Sequence, residues 1–384
     1  MNANDNTSHS IKCNSNFAAF PGGVMTQLTR EAVTTAGQNG QGSPADTLRQ
    51  RWLALLDQQP GLRIRNAAEL LGVSEAELLA TECGDTVTRL ALEPYDLLGE
   101  LHRCGRLMAL ARNDGAVHET LGPFGELKGK GNIRLFLGAQ DQRLFAHRWT
   151  RAFAVQDDKR ESVQFFNAQG RASFKIFTTA DTDKTAWQQL VSRFVATDQS
   201  PLERDIRPDE PKRHRATLNR DEISYLQQRW DAITDVHQFH GLLKDFDLRR
   251  LTAFQYAGTE RAWAIQPEAV ERLIQLADER QLPLMIFVGN GDVVQIHTGT
   301  PGRLLRTGPW FNILDPDFNL HLNTETIQSA WVVRRPTRDG VVTAVEAFDR
   351  HGESIVQFFG ERHEGEPESL KWRALAEEMP HAAH

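Results

Sequence analysis

The stretch DVHQFHGLLKDFDLRR, residues 235–250, holds the side chains of this chain that are best suited to ligand chemistry. His237 and His240 stand three positions apart in a segment whose pattern predicts a helix, and Lys244 and an arginine pair follow them. A neutral imidazole can bind a metal through a ring nitrogen, and the cations can hold an acidic group. The segment therefore predicts a site for a ligand with a metal centre and negative charge.

Helical geometry sorts this region into two faces. At about 100° per residue, the two histidines and Lys244 would share one sector with two apolar side chains, and three large apolar residues would face the opposite side. The apolar residues are Trp230 and Ile233 on the first face and Phe239, Leu242 and Phe246 on the second. Imidazoles beside apolar surface, with cations nearby, suit a flat ligand such as haem b, iron protoporphyrin IX.

Two alternatives stay open for these histidines. A histidine on a helix is more commonly a solvated or hydrogen-bonded residue than a ligand. Zinc is a second alternative, but no HExxH motif, cysteine pair or further histidine cluster completes a tetrahedral set.

The composition limits the classes of partner. The chain has 384 residues, 40% of them hydrophobic, and this length suits two domains or one long domain. Its formal net charge of −7 makes nucleic acid an unlikely partner. No stretch approaches the roughly 18 consecutive apolar residues of a membrane helix, and the start has no apolar core of a secretory signal. The three cysteines have no CxxC spacing. We therefore expect a cytoplasmic protein without a membrane span or a disulfide framework.

Matching segments in the two halves of the chain indicate a tandem duplication. Three pairs occur in the same order, and the offset grows from 177 or 178 to 182, as small loop insertions would produce. The pairs are LRQRW (48–52) with LQQRW (226–230), RNDGAVHETLG (112–122) with GNGDVVQIHTG (289–299), and FFNAQGRASFKIF (165–177) with AFDRHGESIVQFF (347–359).

Short alternating segments such as SVQFF, TAVEAF and SIVQFF, reversed at turn signals such as NAQG and DRHG, predict antiparallel strands. The predicted fold class is α+β: a tandem repeat in which each half is a large antiparallel β-sheet with packed helices, and the haem cleft lies between the halves. The predicted division is a disordered leader or non-native extension (1–45), an N-terminal repeat (46–197), a linker (198–220), a C-terminal repeat (221–379) and a tail (380–384).

The duplication provides an internal comparison. Seven residues past the matched tryptophans, the first half has Gln59 and the second has His237, so only the second half offers a metal ligand there. Aligning DQRLF (141–145) with DFNLH (317–321) sets Arg143 against Asn319, so only the first half offers a cation. This asymmetry predicts a single site to which each half contributes a different side.

Several separated motifs carry a resemblance to a known family. The strings DVHQFHGLL and AVHE, with SAWVVRRPTRDGVVT and VQFFGER, resemble the HemS/ChuS/PhuS family of bacterial cytoplasmic haem-trafficking and haem-degrading proteins. The resemblance runs in order from about residue 47 to 379 and includes the duplication.

The resemblance implies a set of haem contacts. The family's axial histidine falls on His237 and its distal arginine on Arg143, while His240 matches a second histidine proposed as an alternative axial ligand. The other implied positions are Arg250 and Arg335 for the propionates, Gln357 and Phe359 in the pocket, and His118 in a secondary haem site. Arg335 stands where some relatives have lysine, and Phe359 where some have tyrosine, which removes a hydroxyl donor. For His118 an exposed loop position is the alternative interpretation.

Two functions remain open. As a carrier, the protein would sequester imported haem and deliver it to a haem oxygenase, with a haem oxygenase or a haem-importer component as its partner. His240 beside His237 favours this exchange. As an enzyme, it would open the macrocycle and release iron with an external electron donor.

A third hypothesis is DNA binding. It rests on RIRNAAELLGVSEAELL (63–79), a sequence pattern that resembles a helix-turn-helix, although its second helix is acidic.

Overall fold

The computed structural model describes residues 43–157, 160–201, 203, 206–210, 213–363 and 365–382. Most of the leader predicted over residues 1–45 lies outside this part of the chain. Among the described residues, no helix combines the length and the apolar composition needed to cross a bilayer.

The helices surround two sheets. They are α1 (Pro44–Gln58), α2 (Ile64–Leu71), α3 (Glu75–Ala80), α4 (Pro94–Glu100), α5 (Lys184–Arg193), α6 (Arg220–Asp231), α7 (Gln238–Phe246), α8 (Arg250–Ala257), α9 (Ala269–Glu279) and α10 (Leu370–Glu377). Local sequence sets several of their starts. Ser43 and Asn219 form capping boxes at α1 and α6, each side chain accepting a hydrogen bond from the backbone three residues on.

The strands are short and pair only in antiparallel fashion within the two sheets. They are β1 (Val87–Leu90), β2 (Gly105–Arg112), β3 (Ala116–Pro123), β4 (Arg134–Phe136), β5 (Asp141–Leu144), β6 (Trp149–Gln156), β7 (Glu161–Asn167), β8 (Ala172–Thr182), β9 (Ala262–Ile265), β10 (Leu284–Gly289), β11 (Val293–Gly299), β12 (Leu304–Thr307), β13 (Trp310–Leu314), β14 (Phe318–Asn323), β15 (Ser329–Thr337), β16 (Gly340–Phe348) and β17 (Ser354–Gly360).

The strand order confirms the α+β class and the duplication. The first sheet has the order β1-β6-β7-β8-β2-β3-β14-β13-β12, and the second, starting from β9, has the order β9-β15-β16-β17-β10-β11-β5-β4. Each strand of the second sheet therefore has a counterpart in the first, which also has the extra edge strand β12.

The two halves exchange strands, which the sequence did not reveal. Hairpin β4–β5 comes from the first half but extends the second sheet beside β11, and β12–β14 come from the second half but extend the first sheet beside β3. Both sheets thus contain strands of both halves. The boundaries proposed for repeats, linker and tail stay a prediction.

The region 235–250 is not one continuous helix. α6 ends at Asp231 and α7 begins at Gln238, because side chains between them take the backbone hydrogen bonds. The Gln238 side chain accepts from the Thr234 N–H at 2.8 Å, and the Asp235 side chain accepts from the His237 N–H at 2.8 Å. The predicted sector that joined Trp230 and Ile233 to the histidines was therefore wrong.

Helices α6, α7 and α8 share a core on one face of the second sheet. Trp230 and Ile233 are buried in this core together with the three apolar residues that the helical pattern assigned to the opposite side, Phe239, Leu242 and Phe246. The other face of the second sheet packs against α9 and α10. The core under α6–α8 fixes the position of the histidine segment relative to the sheet.

Candidate functional site

One row of residues crosses the second sheet and defines the floor of the candidate site. Directly paired residues of antiparallel strands point to the same face. The row runs from β15 to β5 through Trp331, Glu346, Gln357, Phe287, Ile296 and Asp141. Trp331 packs against the core of α6–α8, so the whole row belongs to the face that carries the histidine helix.

The helices cover only part of this face. On β10 and β17, Met285, Phe287 and Phe359 are half-buried, whereas Ile286 and Phe358, which point to the other face, are buried. The Phe287 and Phe359 rings meet edge to face with centroids 4.9 Å apart. This apolar strip is a surface on which a flat ligand can lie.

Arg143 stands at the far side of the strip. It pairs with Val294 and lies two residues from Asp141, so it points to the same face. Three strand spacings, about 14 Å, separate β5 from β17. The exchanged hairpin therefore brings a cation of the first half onto the sheet that carries the helices of the second half.

The Arg143 guanidinium is only partly engaged. Its Nη1 contacts the Asp141 carboxylate and donates to the Gln142 carbonyl at 3.4 Å, and its side chain is 32% exposed. Burial raises the pKa of Asp141 despite this arginine. Arg143 therefore keeps donors that a ligand in the cleft can use.

His237 occupies the N-cap position of α7, and its side chain makes no capping hydrogen bond. The residue is exposed, and within the described residues its imidazole has no hydrogen-bond partner. This placement leaves both ring nitrogens available for ligation or solvent.

His240 lies one turn further along α7. The residue is exposed overall, but burial of its ring, followed by the charges of Arg250 and Arg335, lowers its pKa. The neutral imidazole, which is the form that binds metals, is therefore favoured at neutral pH.

Arg250 and Arg335 meet at one buried carboxylate. Arg250 at the start of α8 binds Glu346 through Nε and, at 2.9 Å, through Nη2, while Arg335 binds Glu346 through Nη2. Burial raises the pKa of Glu346, but the two arginines together lower it below its ordinary value. The three residues form a cluster with a net charge of +1.

The two arginines differ in access to the cleft. The Arg250 side chain is 16% exposed and also donates to the Gln357 side chain at 3.4 Å. The Arg335 side chain is 3% exposed, and burial lowers its pKa to about 10. Both guanidinium groups lie against the ring of Phe239, with centroid distances of 5.2 Å and 4.7 Å. Their assignment to propionates stays a prediction.

Sequence reasoning missed Glu346. Its one signal was a carboxylate inside the otherwise apolar strand TAVEAF, where a charge needs a partner. The partners, Arg250 and Arg335, lie 96 and 11 positions away, so no local pattern could connect them.

The position of His118 corrects the interpretation of an exposed loop. The residue lies in β3 and is fully buried, its ring edge to face with Phe318 at 4.8 Å. Burial, followed by the charge of His297, lowers its pKa to about 3. A porphyrin could reach this imidazole only if the surrounding strands separated, and the secondary site remains an untested prediction.

The strand register also corrects the counterpart of Arg143. Gly289 pairs with Val294 at the end of hairpin β10–β11, as Arg112 pairs with Val117 at the end of the equivalent hairpin β2–β3. Val294 pairs with Arg143, whereas Val117 pairs with His321. His321, not Asn319, is therefore the equivalent residue.

The counterpart of His237 also changes. Helices α2 and α7 end in equivalent left-handed residues, Gly72 and Asp247. His237 lies ten residues before Asp247, and Leu62 lies ten residues before Gly72. Leu62, not Gln59, is therefore the residue equivalent to His237. The imidazole is still confined to the second half.

The helix-turn-helix interpretation is not supported by the packing of α3. Five of its six residues are buried, including the acidic Glu75. A recognition helix must expose its side chains to a DNA groove. Residues 63–79 instead form part of the core of the first half.

These features fit the chemistry of haem. The face of the second sheet that carries the histidine helix also has an apolar strip and a partly free guanidinium, and a cationic cluster packs against Phe239 of that helix. The fold and the site define a duplicated α+β protein with a candidate ligand-binding surface on one face of a strand-exchanged sheet.

Comparisons with known proteins agree. Residues 72–194 and 247–379 match a family described as the haemin-degrading HemS.ChuX domain. The hemin transport protein HmuS of Yersinia pestis is 35% identical over 337 residues, which cover 85% of this chain and 95% of the relative. The chain belongs to the HemS/ChuS/PhuS family, as its motifs predict.

Solved structures extend the match. Holo-PhuS, a heme-binding protein from Pseudomonas aeruginosa, superposes with a TM-score of 0.84 at 40% identity, covering 89% of this chain and 100% of that one. ChuS, an E. coli heme oxygenase, gives a TM-score of 0.78 at 35% identity, covering 86% and 99%. The duplicated fold is thus shared over most of the chain.

Proposed function

We propose that this protein is a cytoplasmic haem-binding protein of a bacterial haem-uptake system, which sequesters imported haem and delivers it to a haem oxygenase. The observation that carries the proposal is that the exposed His237 and the cation Arg143, from different halves of the chain, lie at the same face of the second sheet with a half-buried apolar strip beside them. The names of the relatives, hemin transport protein and heme-binding protein, support it.

In this proposal each residue has a distinct task. His237 supplies the axial nitrogen, Phe287 and Phe359 contact the macrocycle, and Arg143 lies on the distal side. Arg250 binds the propionate carboxylates at the edge of the haem. His240, kept neutral by its surroundings, stands one turn away and can take over the iron during transfer to a partner.

Haem degradation is the second candidate, because the family is described as haemin-degrading and ChuS is described as a heme oxygenase. Haem bound with a reductant and O₂ supplies the oxidative chemistry. The chain would bind and orient the macrocycle, with Arg143 donating hydrogen bonds on the distal side. Electrons would come from an external donor.

A haem titration tests the binding proposal. The His237→Ala variant should bind haem roughly tenfold or more weakly and with a displaced Soret band. The His237→Ala/His240→Ala double variant excludes replacement of one ligand by the other. Unchanged affinity and spectrum in the double variant would refute axial ligation from this helix.

A second experiment separates the two functions. The haem complex is incubated under air with a reductant system and catalase, and the tetrapyrrole is then analysed. Intact haem that passes to an added haem oxygenase supports the carrier. A regiospecific biliverdin-like product with released iron supports the enzyme.

A further inference from the structure

We propose that Glu346 is a positioning residue, which holds Arg250 in the orientation that meets a haem carboxylate, and that Arg335 supports Glu346 instead of contacting the ligand. This inference rests on the proposed haem binding and deepens it. It assigns a role to a residue that is fully buried.

The contacts of Arg250 give the first argument. Its Nε and Nη2 groups bind the fully buried Glu346 carboxylate, and Nη2 also points to Gln357 at 3.4 Å. Within the described part of the chain, Nη1 makes no hydrogen bond. A guanidinium is a rigid fork of five donors, so fixing one edge also fixes the direction of the other.

The burial of Arg335 gives the second argument. Only 3% of its side chain is exposed, its Nη2 binds the same Glu346 oxygen that Arg250 Nη2 binds, and the ring of Phe239 lies 4.7 Å from its guanidinium carbon. A carboxylate entering from the cleft meets Arg250 first. Arg335 instead binds the Glu346 carboxylate within the interior and helps to fix its position.

The first half of the chain provides an internal control. Leu110 pairs with Lys175 as Phe287 pairs with Gln357, so Lys175 and Gln357 are equivalent. Glu75 begins α3 as Arg250 begins α8, and it forms a buried ion pair with Lys175.

The equivalent helix starts thus carry opposite charges. In the first half α3 begins with an acid, and its partner Lys175 lies on β8. In the second half α8 begins with a base, and its partner Glu346 lies on β16, where the first half has Gln164 on β7. At these equivalent described positions, the second half has a buried carboxylate that binds a cation at a helix start, and the first half does not. This difference indicates that the Arg250–Glu346 pair distinguishes the half that receives an acidic ligand edge.

The test compares haem with iron protoporphyrin IX dimethyl ester, in which both carboxylates are blocked. We expect wild type to prefer the free acid, and the Glu346→Gln variant to lose roughly three- to tenfold of this preference because Arg250 is no longer oriented. In an Arg250→Met background, Glu346→Gln should leave the ratio of dissociation constants unchanged. An unchanged ratio in the single variant would overturn the proposal.

The ratio is the dissociation constant of the dimethyl ester divided by that of haem. A rise in this ratio in Glu346→Gln would also overturn the proposal, because it would mean that Glu346 competes with the haem carboxylates for the arginines. Glu368→Gln is the matched control: Glu368 is a buried carboxylate of the same half, bound to Thr343 and Arg373. It should alter stability but not the ratio.

If Glu346→Gln does not fold, the Glu346→Leu/Arg335→Met double variant removes the buried pair together. It should show the same loss of preference, and a retained preference would refute the proposal. Failure of wild type to bind either porphyrin would instead refute the proposed function. The two failures are therefore distinguishable.

Discussion

Asn113 and Asn290 occupy equivalent hairpins, and each donates its side-chain amide to backbone carbonyls on strands of the other sheet. Asn113 Nδ2 donates to the carbonyls of Gly289 and Ile355 at 3.0 and 2.8 Å, and Asn290 Nδ2 donates to those of Arg112 and Ser173 at 3.1 and 2.9 Å. Each asparagine also caps its own hairpin through Oδ1. This reciprocal pair joins the two halves next to the exchanged strands.

We predict that replacing either asparagine destabilises the whole molecule. Asn290→Ala removes two hydrogen bonds to partly buried carbonyls and should lower the free energy of unfolding by about 2–4 kcal/mol. Urea unfolding measures the change, and the exposed Asn66→Ala serves as control. A loss below about 0.5 kcal/mol would show that the pair does not join the halves.

Arg143 should matter to bound haem although it belongs to the other half of the chain. Arg143→Gln should weaken haem binding several-fold, because the distal side loses its cation, and should shift the Soret band of the complex. Arg148→Gln is the control, since Arg148 is near the same hairpin but donates to the Gly291 carbonyl outside the proposed cleft. Equal effects of the two substitutions would contradict a distal role.

Acid should destabilise the protein through its buried histidines. His118 and His297 have pKa values lowered to about 3 and about 4, chiefly by burial, whereas an unfolded histidine titrates near 6.5. Below about pH 6.5 the unfolded state binds more protons, so stability falls until the folded values are reached. Between pH 6.5 and 5 the loss is about 2 kcal/mol for each residue.

The variant His118→Gln tests this pH dependence. Gln295 occupies the equivalent position in the second half, so glutamine suits this site. Urea unfolding at pH 7 and pH 5 should show a smaller acid loss in the variant than in wild type. An exposed control, His147→Gln, should leave the loss unchanged.

Arg112 is mostly buried and, among the described residues, has no ion pair or side-chain hydrogen bond. Burial, followed by the charge of Arg65, lowers its pKa to about 10. Arg112→Met should therefore raise the free energy of unfolding by about 1 kcal/mol. Arg89→Met should lower it, because Arg89 pairs with the buried Glu203. A destabilised Arg112→Met variant would mean that the charge has a partner.

Local pattern was sufficient for much of the architecture. The alternating segments SVQFF, TAVEAF and SIVQFF lie in β7, β16 and β17. Of the three matched pairs of strings, the first lies in helices α1 and α6 and the other two lie in equivalent hairpins of the two sheets. Period-two alternation and turn residues act over a few positions, so the sequence displays them directly. The motifs around His237 and Arg143 were equally visible.

Tertiary structure alone decided how these pieces meet. The exchange of β4–β5 places Arg143 on the sheet of the other half, the break before Gln238 exposes His237, and Glu346 joins Arg250 to Arg335. Each depends on contacts between residues distant along the chain or on side chains that compete for backbone hydrogen bonds. Chain periodicity records which face a residue prefers, but burial and long-range pairing determine what it meets there.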